Sequence, residues 1–224
     1  MVYRRTERVT ARLAARHEAI IGAARALANE SGLAAVQIAP VAERAGIAAG
    51  TVYRYFPSKD DLVAALVGAT AEREIAAMRA DAAAAPGPLS GIAAAIMAFA
   101  TDTLRMRRLA WAMLAETTGS RADAALLAFR RSLAGEFETL IRTAIAAGHL
   151  PDQVAAAAAC AIIGATLESL VGPLASIPAG PDAERAAAQA LTLFVLRALG
   201  VADARARGLV VQSGIGNQES TGGS

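Results

Sequence analysis

Apolar positions along the chain recur at three- and four-residue spacing, and no run of four to eight residues alternates apolar with polar. Leu13, His17, Ile20, Ile21, Ala24, Leu27 and Ala28 fall on one stripe and predict a first helix over about Arg12–Ser31, with Gly32 as its left-handed C-terminal cap. Pro40–Ala45 reads as a short second helix broken by Gly46, and Ala49–Phe56 as a third ended by Pro57. Ser58, with Asp61 three residues on, approximates a capping box that starts a fourth helix reaching about Ala84. Pro86-Gly87-Pro88 is the clearest break in the chain. Beyond it the stripes predict helices over about Leu89–Met106, around Trp111, and over about Arg121–Ala147, Asp152–Val171 and Asp182–Leu199, with a turn at Thr117–Ser120. Residues 1–11 read as a flexible basic arm, and residues 201–224, which lose periodicity, as a disordered tail.

The expectation is therefore an all-α chain of about nine helices. Composition agrees. Hydrophobic residues make up 55% and aromatic ones only 4%, and Ala-rich runs such as Ala82–Ala85 and Ala155–Ala159 favour helix because Ala loses no side-chain entropy there. Net charge is +2, but its distribution is uneven: residues 1–60 hold nine Lys+Arg against five Asp+Glu, and the rest hold thirteen against fifteen. A basic N-terminal unit on a slightly acidic body suits a nucleic-acid reader with a separate control domain. The single cysteine, Cys160, excludes an intramolecular disulfide and is expected to be a small buried hydrophobe. Met1–Arg16 is polar and Arg-rich, unlike a secretory leader, and the apolar stretch Val154–Leu167 is stopped by Glu168 short of the roughly 18–20 residues of a membrane span. A soluble cytoplasmic protein with no membrane partner is expected.

The segment from Val41 to Leu62 carries the function. Two short helices flank a tight turn: Val41, Ala42 and Ala45 can face inward, Ile47 plugs the turn, and Val52 with Phe56 anchor the second helix. Gly46 supplies the backbone angle for a sharp turn. That leaves Ala48, Ala49, Gly50, Thr51, Tyr53, Arg54 and Tyr55 outward, a set with hydroxyl and guanidinium donors and no acid, suited to a phosphate backbone. The bland alternative is that Tyr53 and Tyr55 only pack the small unit.

Here the chain resembles the TetR family of bacterial regulators. The likeness covers about Arg12–Ala65, through Ala45-Gly46-Ile47, Gly50-Thr51-Val52-Tyr53, Tyr55-Phe56 and Lys59…Leu62 in the family's order and spacing; the remainder resembles it only in helix count and lengths. The resemblance implies a helix-turn-helix DNA-binding domain over 12–58, a helical ligand-binding and dimerisation domain over 59–200, and a dimer that reads a palindrome-like operator on double-stranded DNA. It gives Ala49, Gly50, Thr51 and Tyr53 groove-facing roles and Tyr53, Arg54, Tyr55 and Lys59 phosphate contacts. Two departures make direct readout lean. Ala48 and Ala49 stand where the family often has Ser and a polar or basic residue, so the third helix lacks a side-chain cap worth about 1 kcal/mol and lacks bidentate base contacts. Val36 stands where the family often has Thr or Ser. Arg4, Arg5 and Arg8 on the arm are then expected to reach a narrow, A·T-rich minor groove beside each half-site.

In the body, Met97, Thr101, Leu104, Trp111, Leu114, Phe129 and Leu133 are candidates for an apolar effector pocket, with Glu116 and Arg130 as possible polar groups; the same residues would equally serve as core. Ile162, Ile163, Thr166 and Leu170, with Leu191, Phe194, Val195 and Ala198, offer the last two helices as a four-helix dimer interface, or as faces buried within one subunit. The reading is a repressor released by a small apolar ligand, or else a helix-turn-helix regulator whose body binds a protein partner or no ligand. An enzyme is not expected. His17 and His149 are far apart in sequence, Cys160 has no evident base, and no phosphate-cradling Gly-rich loop or HxxxH pair occurs, so no cofactor or metal is expected.

Overall fold

The computed structural model describes the backbone of residues 2–115 and 121–220 and the side chains of 9–115 and 122–213. Those residues form ten α-helices and no strand. Four build the N-terminal unit and its exit: α1 (Val2–Ser31), α2 (Ile38–Arg44), α3 (Ala49–Tyr55) and α4 (Lys59–Ala84), with a 3₁₀ turn at Leu33–Ala35 between the first two. The body adds α5 (Pro88–Arg105), α6 (Arg107–Ala115), α7 (Arg121–Ala146), α8 (Ala155–Thr166) with a π turn at Leu167–Val171, α9 (Pro181–Ala198) and α10 (Asp203–Ser220).

The helices close around α4, α5 and α7, which pack on one another, while α8 covers α7, and α9 and α10 cover α5. Phe137 of α7, fully buried, meets Phe99 of α5 edge-on at 6.0 Å between ring centroids. Small residues let α4 and α5 approach closely: a Cβ on Gly91 would stand 3.1 Å from the Ala82 carbonyl oxygen. Arg79 of α4 and the Glu136 carboxylate of α7 form a two-pronged ion pair across the same layer. Helices α5 and α6 meet at a bend of 110°. No single described helix is long and apolar enough to cross a membrane.

Both ends of the chain depart from expectation. Residues 2–11, expected as a flexible arm, continue α1 without a break. The reason is local: from Val2 to Arg16 the chain has neither Gly nor Pro, and Arg, Ala and Leu there are good helix formers. Most of the expected tail is likewise α10, whose Ala206, Leu209 and Val210 are buried at i, i+3, i+4 spacing. Gly208, Gly214 and Gly216 had diluted that periodicity. The turn at 117–120 and the last four residues of the expected tail lie outside the described residues.

Three interior assignments are also corrected. Leu13 is 47% exposed, because the packed part of α1 begins only at Ile20, with His17 half-buried before it. Cys160 is exposed, since α8 turns Ala159 and Ile162 to the core and Cys160 away from it. Of the candidate interface, Ile162, Thr166, Leu170, Leu191 and Val195 are buried within the chain, and Ile163 is half-buried. Phe194 and Ala198, also among the candidates, are exposed, and with Val154 before α8 and Ala157 and Ala161 on it they line an apolar groove.

Candidate nucleic-acid interface

The turn between α2 and α3 is fixed by backbone bonds that Gly46 permits. At φ 66° it sits in the left-handed region, its N–H bonds the Glu43 carbonyl at 3.1 Å, and the Ile47 N–H reaches back to Ala42 at 3.0 Å. This pair closes the end of α2 as a Schellman motif, satisfying carbonyls the helix leaves open. Val41, Ala42, Val52 and Phe56 are buried and Ile47 packs against them, which locks the rotation of α3. As expected, Ala48 offers no side-chain cap; the first turn closes only through the Thr51 N–H to the Ala48 carbonyl at 2.8 Å.

With Val52 and Phe56 inward, Ala48, Gly50, Tyr53 and Arg54 are exposed, and Ala49 and Thr51 are half-exposed. Tyr53 is 54% exposed. A Cβ added to Gly50 would meet nothing within 4 Å, so its smallness has no purpose inside the chain. Tyr55 does not face outward. At i+3 from Val52 it shares the buried face; its ring lies 6.4 Å from both His17 and Phe56, and its hydroxyl is buried without a partner. The spacing carried that signal and the outward reading overlooked it. Val36 is fully buried, so the position lacking a hydroxyl belongs to the core.

Lys59 opens α4 and extends Nζ toward the Ala34 carbonyl at 3.4 Å, which joins it to the 3₁₀ turn after α1. Ser58 caps α4 as expected: its Oγ accepts from the Asp61 N–H at 3.1 Å and donates to the Asp61 carboxylate at 2.7 Å. Arg4, Arg5 and Arg8 stand on the first turns of α1.

Sequence reasoning missed the joint between this unit and the body. Arg44 at the end of α2 makes a bidentate pair with Glu30 of α1 at 2.5 and 2.7 Å, which holds the Glu30 carboxyl below its usual range through that hydrogen bond. Arg108 of α6 donates to the backbone carbonyl of the same Glu30. Arg73 of α4 reaches the Met106 sulfur at the α5–α6 bend at 3.4 Å. At the next residue, burial first and the Asp102 charge second push the Glu74 carboxyl up to about 7, against the opposing pull of Arg73 and Arg105. These partners are far apart in sequence, so no local pattern marks them.

Of the candidate pocket residues, Met97, Leu104, Leu114, Phe129 and Leu133 are buried in the core, Trp111 is half-buried and Thr101 is exposed on the surface. Arg130 donates from Nε to the Met113 carbonyl at 3.3 Å. Glu116 lies outside the described residues.

Residues 20–66 match the family model described as bacterial regulatory proteins, tetR family. Through these residues the N-terminal unit is similar to that family. Over 58 residues it is 48% identical to the HTH-type transcriptional repressor KstR of Mycolicibacterium smegmatis, a match covering 26% of this chain and 28% of that one. The chain thus aligns with about a quarter of the length of the curated relatives it matches. The whole fold is similar to FadR of Bacillus subtilis in complex with stearoyl-CoA, with a TM-score of 0.67, 20% identity, and 80% of this chain and 97% of that one covered. It is also similar to RolR in complex with resorcinol, with a TM-score of 0.59, 22% identity and coverage of 90% and 95%. The matched family and relatives are transcriptional regulators, not enzymes.

Proposed function

We propose that the chain is a DNA-binding transcriptional repressor that acts in the cytoplasm as a homodimer on a two-fold symmetric operator and is released by a small apolar ligand. The observation that carries this reading is the face of α3. Val52 and Phe56 lock the helix while Gly50, Thr51, Tyr53 and Arg54 stay available, with no acid among them, above a turn whose sequence matches repressors. Tyr53 and Arg54 serve the phosphate backbone, Ala49, Gly50 and Thr51 approach base edges, and Lys59 adds charge at the rim. Residues up to about 58 form the reading head and the remainder the body that controls it. Dimerisation falls to the outward face of α8 and α9, where Phe194 is 59% exposed and Val154 72% exposed.

Effector release is supported by the joint at Glu30, where α1, α2 and α6 meet: a ligand that shifts α6 changes the hold on the reading head. The packing of Leu104, Phe129 and Leu133 favours the second reading, a regulator whose body takes a protein partner or no ligand. Selection of bound DNA from a random pool tests the main proposal. Enrichment of a palindrome with half-sites about one helical turn apart is expected. A pool that emerges without enrichment sinks it.

A further inference from the structure

Ahead of its packed part, and from the first described side chain onward, α1 is a helix with nothing beneath it. Every residue from Val9 to Ala15 is exposed, and burial begins with half-buried Arg16 and His17. His17 is also where α1 meets the reading helix, its ring 5.2 Å from Phe56 at the end of α3. The exposed segment therefore leaves the domain near the C-terminal end of α3. At about 100° per residue, positions 5, 8, 12 and 16 fall within roughly 80° of the helix circumference. All four are arginine. Arg12 and Arg16 are in no ion pair among the described residues. From position 5 to position 17 a helix rises about 18 Å.

We propose that this segment docks as a rigid helix along the sugar-phosphate backbone flanking each half-site, with Arg5, Arg8, Arg12 and Arg16 set against successive phosphates. The inference rests on the reading that α3 faces DNA. It replaces the expectation of arginines threading the minor groove: a helix about 10–12 Å across cannot enter a groove roughly 6 Å wide. The stripe positions the protein and adds affinity, and contributes no A·T preference in the flanks. The partner is identified by charge, since a row of cations with no interleaved acid on its face complements a polyanion. Exposed Val9 and Leu13 lie to one side of the row, where the helix backs toward the domain.

The test uses the full chain and selected operator duplexes, with affinity measured by fluorescence anisotropy across a salt series. Arg5→Ala, Arg8→Ala and Arg12→Ala together should weaken binding and flatten the slope of log affinity against log salt by about 2.7 per subunit, at roughly 0.9 per phosphate contact. The deciding variant inserts two alanines between Leu13 and Ala14. Helix and net charge are kept, while positions 5, 8 and 12 turn by about 200°. A docked helix loses as much affinity and slope as the triple variant. On duplexes trimmed to the half-sites, parent and insertion variants should bind alike. An insertion variant that binds long duplexes like the parent overturns the proposal, whether a flexible arm or a protein-facing helix is then the reason. A parent that binds no duplex sinks the reading of α3 along with it.

Discussion

Reading head and body both depend on small residues, and they put them to opposite uses. On α5, Gly91, Ala93, Ala95 and Ala100 are buried, and a Cβ on Gly91 would press the Ala82 carbonyl oxygen at 3.1 Å. On α3, Gly50 is exposed and a Cβ there would meet nothing. Smallness in the body is explained by helices closing on each other. Smallness in the head has no cause within the chain, and so points outward to something that must come close. A glycine is informative here only once its surroundings are known.

The body side of this comparison can be broken most severely at Phe137, which seals the seam between α5 and α7. Phe137→Ala should cost about 3–5 kcal/mol in urea or thermal unfolding, with DNA binding lost only as the fold is lost. Glu74 gives the next largest effect. Its folded-state pKa, raised from 4.5 to about 7, means that the native state binds more protons than the unfolded chain between those values. Stability contributed by the protonated carboxyl is fully present below about pH 4.5, declines as pH rises through that window and is gone above about 7. Glu74→Gln should therefore stabilise the protein at pH 8 by up to about 3 kcal/mol and flatten the pH profile between 5 and 7, as followed by denaturant midpoints. A profile that keeps its slope in the variant would place the titration elsewhere. Gly91→Ala should destabilise by about 1–3 kcal/mol by forcing α4 and α5 apart. Arg54→Ala sharpens the head side: stability should change by less than about 0.5 kcal/mol, while operator binding weakens and its salt slope falls by roughly one per subunit.

What was legible in the sequence follows the same division. Helices α2 to α9 announced themselves through apolar stripes and through breakers such as Gly46, Pro57, Pro86 and Gly148, and the head could be read to single residues. Each of Gly46, Val52, Phe56 and Ser58 serves one local purpose that its chemistry reveals. Tyr55 failed because it was judged by its hydroxyl rather than by its spacing from Val52. In the body, alanine serves equally on a buried face and an exposed one, so the sequence left Ile162, Leu191 and Val195 open between a dimer face and the core, and their helices turn them in. The joint of Glu30 with Arg44 and Arg108 depends on contacts between residues 14 and 78 apart in sequence. Nothing local marks such a joint.

Gly50→Ala tests the placement of α3 against DNA most directly. The substitution adds one carbon where the chain offers nothing within 4 Å, in the first turn of α3. Unfolding measurements should show stability unchanged or raised by up to about 1 kcal/mol, because alanine suits a helix better than glycine. If α3 lies against DNA with Gly50 at the point of closest approach, operator affinity should fall by about tenfold or more, some 1.4 kcal/mol. A variant that folds as well as the parent and binds the selected operator with parental affinity would contradict the placement of α3 against DNA.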